Sequence, residues 1–363
     1  MSIEKDTYWE SIVNTVYKMQ QENIIILGIE SSCDDTSASV IKNGKILSNV
    51  IAQQAIHEQY GGVVPELASR AHQQNIIPVV DAAIKQAGIT KEELSGIAFT
   101  AGPGLMGALL VGVSFAKSLA LSLNIPLMEV NHMQGHILAH FIEKPEENKK
   151  KPSFPFICLT VSGGHTQLVK VNDYFDMEIV GSTLDDAAGE AFDKMAKVLH
   201  FPYPGGPLID KHAKEGDATR FQFTHPRTRN YDYSFSGLKT QFVNFIRNCE
   251  GDDPDFVEKN KADICASIQD TIIKTLFSKL KKVADDFDIN QVAIAGGVSA
   301  NSQLRRDLGT LGKKRRWHVF IPDFQYCTDN AGMIAMAGYF KFLEKDFVGQ
   351  EVTANARLKF WLG

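Results

Sequence analysis

The chain has 363 residues, and 38 Lys and Arg against 43 Asp and Glu give it a formal net charge of −5. With 44% hydrophobic and 22% charged residues, the composition is typical of a globular protein and excludes disordered and fibrous chains. The negative charge excludes a protein that coats nucleic acid by bulk positive charge, although it leaves room for local basic patches. Because the length exceeds what one hydrophobic core usually serves, we expect two lobes.

The distribution of cysteines and apolar segments indicates where the protein resides. Five dispersed cysteines without a C-x-x-C pair are typical of reduced thiols in a cytoplasm. Residues 1–22 have helical apolar spacing and scattered acids, so we expect an amphipathic leader helix of unknown role and no secretory signal. Residues 104–125 approach membrane-span length, but glycines, serines and Lys117 interrupt them, which favours a buried helix at the centre of a core. We therefore expect a cytoplasmic protein without a membrane anchor.

A strand–turn–strand pattern occurs twice along the chain. Strands are predicted at 24–30 and 36–41, and again at 156–161 and 166–171, each pair joined by a polar turn. Later in each half, a short apolar strand runs into glycines and a helix, at 97–100 and at 292–295. The repetition predicts a duplicated α/β protein whose two lobes enclose a cleft.

The predicted limits of these lobes follow from the repeat and from a charged linker at 144–153. We expect a leader helix at 1–23, a first lobe at 24–150, a second lobe at 151–350 and a tail at 351–363. The last helix of the second lobe could return to the first lobe.

Two histidines follow a predicted strand at 126–130. Asn131 can cap a helix there, which places His132 and His136 at i and i+4 on one helical face, where two imidazoles can chelate one metal. The pattern is weak alone, and two surface or capping histidines are the alternative; His140, further along, is interpreted as a surface histidine. Met133 stands where H-E-x-x-H zinc proteases have their glutamate base, which argues against a protease.

Asp329 precedes an apolar helix at 333–340 and could supply a third ligand. The alternative is a simple helix cap, which is common for aspartate. Two histidines and one aspartate would suit iron or zinc with open coordination positions.

Three glycine-rich turns, at 162–166, 205–206 and 296–301, could let backbone N–H groups approach a phosphate. Each of these turns alone is more often just a tight turn. The presence of three of them, distributed over two matching halves, favours binding of a nucleotide. Asp193 and Asp210 could bind ribose hydroxyls, whereas pairing of Glu190 with Lys194 is the ordinary explanation of the acidic segment around them. Basic residues occur in local clusters, as at 313–316. Such clusters could neutralise the phosphates of a ligand as large as a tRNA.

Ten motifs together carry a resemblance that spans residues 24–345. They include GIESSCDDTSASV (28–40), TAGPGLMGALLVG (100–112), NHMQGH (131–136), VSGGHTQL (161–168), AGGVSAN (295–301) and CTDNAGMIA (327–335). In these motifs the chain resembles the TsaD family of tRNA N6-adenosine threonylcarbamoyltransferases, formerly called glycoproteases.

The resemblance implies the duplicated two-lobed ASKHA fold of actin, sugar kinases and Hsp70 ATPase domains. It also implies transfer of a threonylcarbamoyl group from threonylcarbamoyl-AMP to N6 of the adenosine 3′-adjacent to the anticodon, in tRNAs reading ANN codons, with release of AMP. The family's partners are tRNA, an inactive ASKHA paralogue of the TsaB type and a P-loop ATPase of the TsaE type.

The resemblance also assigns residues. The metal ligands fall on His132, His136 and Asp329, and the metal is iron (Fe²⁺) or zinc. Ser32, Asp34 and Asp35 lie in the turn that the family places by the metal, so that Asp34, Asp35 and also His165 are candidates for the general base. The adenylate contacts fall on Thr160, Val161, Ser162, Gly163, Gly164, Asp193, Gly206, Asp210 and Asn301.

Three other functions stay open at this point. A metalloprotease is the old family label, and an ATPase or phosphotransferase would share the fold. A non-catalytic scaffold would have no use for a complete His–His–Asp set.

Overall fold

The computed structural model describes residues 23–54, 57, 60–147, 150–225 and 228–360. The predicted leader helix lies outside the described residues. The strands of the described part form two five-stranded sheets.

The first sheet has the order β3-β2-β1-β4-β5. β1 and β2 pair antiparallel, as do β2 and β3, whereas β4 and β5 run parallel to β1. Asn43 and Gly44 both have positive φ and make the tight turn between β2 and β3. The strands are β1 (Ile25–Glu30), β2 (Thr36–Lys42), β3 (Lys45–Ala52), β4 (Gly96–Gly102) and β5 (Leu127–Asn131).

The second sheet repeats this topology, with the order β10-β9-β6-β7-β8. Its first three strands pair antiparallel, and β9 and β10 run parallel to β6. The predicted duplicated α/β fold is therefore confirmed, while the exact lobe limits stay a prediction. The strands are β6 (Phe156–Val161), β7 (Thr166–Val171), β8 (Met177–Ser182), β9 (Gln291–Ala295) and β10 (His318–Phe320).

The helices of the described ranges flank these sheets or lie between them. They are α1 (Pro65–Gln86), α2 (Met106–Leu123), α3 (His132–Leu138), α4 (Ala188–Val198), α5 (Gly206–Ala213), α6 (Ser236–Asp252), α7 (Phe256–Asp286), α8 (Ser302–Arg315) and α9 (Ala331–Glu344). Short 3-10 turns occur at Lys91–Glu93, Ala139–Phe141, Gly297–Ala300 and Phe324–Tyr326.

Strand alternation divides the core into three parts. In β1, Leu27 faces an outer core with α1 and α2, whereas Ile26 faces a central core. In β6, Leu159 faces an outer core with α4 and α7, and Cys158 faces the same central core. Both sheets therefore enclose one shared core, which α3 and α9 fill.

Helix α9 packs closely on the first sheet although it follows the second in sequence. A Cβ at Gly28 of β1 would lie 2.5 Å from the Ala331 carbonyl oxygen, so only glycine permits this approach. Since α3 and α9 both contact the central core, they bring segments from the two halves together at the cleft.

Two expectations are wrong. Helix α2 is not at the centre of a core: only a third of it is buried, and Leu110 and Leu121 are exposed. By length and composition alone it could cross a membrane. Its Lys117, however, donates a hydrogen bond to the Val352 carbonyl at 2.9 Å. His140 is buried rather than on the surface, because a 3-10 turn directs it to the Ile294 carbonyl, 2.9 Å away.

Candidate metal centre and adjoining cavity

Helix α3 begins immediately after β5 because Asn131 caps it. The Asn131 Oδ1 accepts hydrogen bonds from the backbone N–H groups of Met133 (2.9 Å) and Gln134 (3.4 Å). His132 is therefore the first helical residue, and His136 lies one turn later on the same face. This is the arrangement that the sequence predicts.

Asp329 does not cap helix α9. The cap is Asn330, whose Oδ1 accepts from the N–H of Met333 at 3.1 Å. The Asp329 carboxylate instead faces the two histidines, with its Oδ1 3.3 Å from Nε2 of His132 and 3.2 Å from Nε2 of His136. The helix-cap alternative for Asp329 is wrong.

The geometry of these three side chains fits a metal ion. Their ligand atoms all lie within 4.8 Å of one another, and both histidine side chains are nearly fully buried. Two ligand atoms bonded to one ion at ~2.1 Å and about 100° apart would be separated by about 3.2 Å, close to the distances seen here. His132, His136 and Asp329 therefore form a possible metal site.

Glu30 supports this site, and the sequence analysis missed it. It is the last residue of β1 and fully buried, and its Oε2 lies 3.0 Å from Nδ1 of His132. Thr100 Oγ1 donates to the same oxygen at 2.6 Å, and the backbone N–H of Ser32 donates to Oε1. A carboxylate on Nδ1 keeps the proton there and leaves the Nε2 lone pair for a metal.

The charges of His132, Asp329 and Glu30 also favour binding of a metal ion. Burial opposes the charged form of His132, but Asp329 and Glu30 outweigh it and raise the pKa of His132 well above its usual value. Burial and the charge of His132 lower the pKa of His136. Burial alone would raise the pKa of Asp329, but the His132 charge holds it far below its usual range. Two carboxylates against one imidazolium leave a net negative charge, which a divalent cation would neutralise.

A cavity of about 610 Å³ extends from this centre between the lobes. Most of the predicted site residues lie in its wall, together with Cys33, Phe192 and Tyr203, which were not predicted. His136 lies outside the wall, and Thr160 and Val161 are fully buried in β6 without lining the cavity. The predicted residues in the wall are Asp34, Asp35, His132, Ser162, Gly163, Gly164, His165, Asp193, Gly206, Asp210, Asn301 and Asp329.

The β6–β7 turn presents backbone to this cavity. Nothing lies within 4 Å of where a Cβ would be at Gly163 or Gly164, so a ligand can approach the backbone of this turn closely. Such a turn suits a phosphate group.

The polar side chains opposite this turn also have structural partners. Asp193 Oδ1 accepts from the N–H groups of Gly205 (2.9 Å) and Gly206 (3.0 Å), which fixes the start of α5. Asp210 accepts from the Ser302 hydroxyl at 2.8 Å, and Asn301 caps α8. Each of these aspartates keeps further acceptor capacity for a hydroxyl donor.

The turn between β1 and β2 brings carboxylates to the end of the cavity where His132 and Asp329 lie. Burial raises the pKa of Asp35 to about 7, and the negative charges of Asp34, Asp329 and Glu30 add to the effect. Burial, with the charges of His132 and His136, lowers the pKa of His165. Asp35 is therefore suited to exchange a proton near neutral pH.

Comparison with known proteins identifies the family. A family model described as TsaD, tRNA N6-adenosine threonylcarbamoyltransferase, matches residues 45–336. Proteins of that name from Christiangramia forsetii (61% identical, 94% of this chain and 100% of that protein) and Porphyromonas gingivalis (60%, 93% and 99%) are similar throughout. The crystal structure of HypF from T. kodakarensis has a TM-score of 0.58 at 15% identity over 92% of this chain and 49% of HypF, which supports the fold alone. The chain belongs to the TsaD family of tRNA N6-adenosine threonylcarbamoyltransferases.

Proposed function

We propose that the protein transfers the threonylcarbamoyl group of threonylcarbamoyl-AMP to N6 of the adenosine 3′-adjacent to the anticodon, in tRNAs reading ANN codons. Family membership supports this activity. The observation that carries it is one cavity with a His–His–Asp centre at one end and an open glycine turn in its wall. A ligand with a reactive acyl group beside an adenylate matches both features.

The transfer replaces one bond to the carbamoyl carbon by another. The N6 lone pair attacks this carbon, the bond from the carbon to the phosphate oxygen breaks, and AMP departs with that electron pair. The N6 proton must pass to a base. We assign this role to Asp35, whose pKa of about 7 suits it, with Asp34 and His165 as the other candidates in the wall.

The donor would be held along the cavity. N–H groups of the turn that contains Ser162, Gly163 and Gly164 would bind phosphate oxygens, and Asp193 and Asp210 would accept hydrogen bonds from ribose hydroxyls. Gly206 and Asn301 would border the adenosine. Thr160 and Val161, inside β6, would act by positioning the turn.

His132, His136 and Asp329 would hold iron or zinc, since this donor set accepts either. Bound there, the ion would polarise the carbamoyl oxygen and offset charge on the departing phosphate. The buried Glu30 would keep His132 in the tautomer that a metal requires.

The alternative functions have less support. Met133 is 2% exposed and has no group that could act as the base of peptide hydrolysis. An ATPase or phosphotransferase would hold Mg²⁺ by oxygen ligands, whereas two imidazoles favour a transition metal.

We propose tRNA, an inactive TsaB-type paralogue and a TsaE-type P-loop ATPase as partners in the cytoplasm. Exposed apolar side chains on the adjacent helices α1 and α2, including Ile77, Leu110 and Leu121, would be covered by the paralogue. The basic run 313–316 at the end of α8 would contact tRNA phosphates.

Reconstitution tests the proposed function. The protein would be incubated with threonylcarbamoyl-AMP, an ANN-reading tRNA and both partner proteins, and the tRNA digested for mass spectrometry. We expect N6-threonylcarbamoyladenosine and an equal amount of AMP. Unmodified adenosine after full consumption of the donor, or chelator-sensitive cleavage of casein, would contradict the proposal.

A further inference from the structure

A second cavity, of about 700 Å³, adjoins the one that we assign to the donor. His165 and Pro103 lie in the walls of both, so the two cavities meet at the end of the β6–β7 turn. Strands β7 and β8 form one side of the second cavity, through Gln167, Met177 and Ile179. The proposed function leaves this space without an occupant.

The opposite side is formed by a segment near the C-terminal end, held by the metal-binding helix. Asn131 Nδ2 donates to the Lys359 carbonyl at 3.0 Å, and Gln134 Nε2 donates to the Phe360 carbonyl at 3.3 Å. Asn131 also caps α3, so one side chain fixes both His132 and the wall of the second cavity. The second cavity is therefore built in a fixed position relative to the metal centre.

Gln167 provides a neutral polar group in the wall of this cavity. Its Oε1 is buried and has no hydrogen-bond partner among the described residues. An unpaired buried acceptor is costly, so rotation of the amide toward a ligand with an N–H donor in the cavity would stabilise it. A glutamine amide both accepts and donates, which matches the N6 amine of adenine and a neighbouring ring nitrogen.

The remaining wall favours a neutral, flat and largely apolar ligand. Met177, Ile179 and Phe360 would pack on an aromatic ring, whereas the ionisable side chains are two carboxylates, Asp176 and Glu178, one ammonium, Lys359, and the imidazole of His165. A threonyl carboxylate would be repelled by the net negative charge of these side chains and would fill little of the cavity volume. An unpaired base from an RNA loop suits it better.

Resting on the proposed function, we infer that this second cavity receives the target adenine of the tRNA and that Gln167 binds the adenine edge that carries N6. The base enters from the side of β8 and the C-terminal segment, and N6 reaches the donor where the cavities meet at His165.

The test compares Gln167→Leu with Gln291→Leu in the reconstituted system. Gln291 lies in the same sheet but hydrogen-bonds Ser153, away from both cavities. We expect Gln167→Leu to lower kcat/KM for an anticodon stem–loop RNA about 10- to 100-fold. The KM for threonylcarbamoyl-AMP and the AMP affinity should stay at wild-type values and the thermal midpoint should not fall, and the kinetics and AMP affinity of Gln291→Leu should match the wild type.

RNA analogues test the contact itself. With 1-deazaadenosine or 7-deazaadenosine at the target position, the wild type should lose activity on one of the two, and Gln167→Leu should show no additional loss on that analogue. Additive losses on both analogues would overturn the assignment.

A second variant guards against indirect effects. Ile179 is 38% exposed, so Ile179→Trp should fold, fill the cavity and abolish RNA modification while AMP still binds. Unchanged RNA kinetics in both variants would overturn the inference. A raised KM for the donor alone would also overturn it and would place the threonyl group here. Absence of product from the wild type would instead contradict the proposed function.

Discussion

The two halves share one strand order, yet their first hairpins present opposite chemistry to the same cavity. The β1–β2 turn contributes Asp34 and Asp35, whereas the β6–β7 turn contributes Gly163 and Gly164. One hairpin supplies charge beside the candidate metal centre, and the other supplies open backbone suited to a phosphate. Duplication therefore accounts for the shared strand order, and different residues at the two equivalent turns give the two halves different roles.

The difference begins inside the strands. The last residue of β1 is Glu30, and the last residue of β6 is Val161; both are fully buried. Glu30 is paired with Thr100, whereas the position equivalent to Thr100 beside Val161 is Gly296, where a Cβ would lie 2.5 Å from the Val161 carbonyl oxygen. A buried carboxylate is tolerated only where it is hydrogen-bonded. Only the first half can therefore place a carboxylate at this position, where it orients His132.

Removing one of the candidate metal ligands should abolish the contribution of the His–His–Asp centre. His132→Ala or Asp329→Ala should lose bound metal and lower transfer roughly 10³-fold, because charge on the carbamoyl oxygen is no longer stabilised. Metal content by mass spectrometry and product formation would be measured together. His318→Ala is the matched control, because His318 is exposed at the start of strand β10. Full activity after loss of the metal would contradict the role that we assign to the charged side of the cavity.

Glu30→Gln should have the next largest effect. The variant keeps the shape of the side chain but removes the charge that orients His132, so metal affinity should fall about 10- to 100-fold. Competition with a chelator would measure it. Glu129→Gln, in β5 of the same sheet, should match the wild type. An unchanged affinity would show that Glu30 is only a buried structural carboxylate.

On the glycine side, Gly163→Ala should weaken AMP binding about tenfold, since a methyl group would occupy the space of one phosphate contact. The fold should be unaffected, because nothing lies within 4 Å of that Cβ. Calorimetry and thermal melting separate the two effects. Gly309→Ala, equally open on α8, is the control; Gly296→Ala, at φ +86°, should instead destabilise the protein by about 1–3 kcal/mol. A stable Gly163→Ala with normal AMP affinity would contradict a phosphate site.

The smallest expected effect is a pH dependence in the metal-free protein. The pKa of Asp35 is raised to about 7 in the folded state, so the folded protein binds this proton more tightly than the unfolded chain. The corresponding stability is present below the usual aspartate pKa of about 4 and is lost as the pH rises through 7. Asp35→Asn should therefore gain about 1 kcal/mol relative to the wild type between pH 6 and 7, measured by chemical denaturation. Parallel pH profiles would contradict the raised pKa.

Local signals predicted much of the fold and site. Runs of β-branched residues placed β6 and β7 at their observed bounds, and Asn131 predicted the start of α3 and hence the histidine pair. These features depend on neighbours in sequence, where strand alternation and helix capping act.

The missed features depend on distant contacts. Glu30 looked like the end of an apolar strand, because its partners His132 and Thr100 are 70 or more residues away. His140 was misplaced because a 3-10 turn changed its direction. The second cavity could not be predicted, since it needs residues near 360 to return to α3.

Metal titration of the metal-free protein tests the central claim most directly. In the reconstituted system, product formation should rise with added iron or zinc and saturate at one ion per chain, while His132→Ala stays inactive throughout. Full transfer by the metal-free protein would contradict the account.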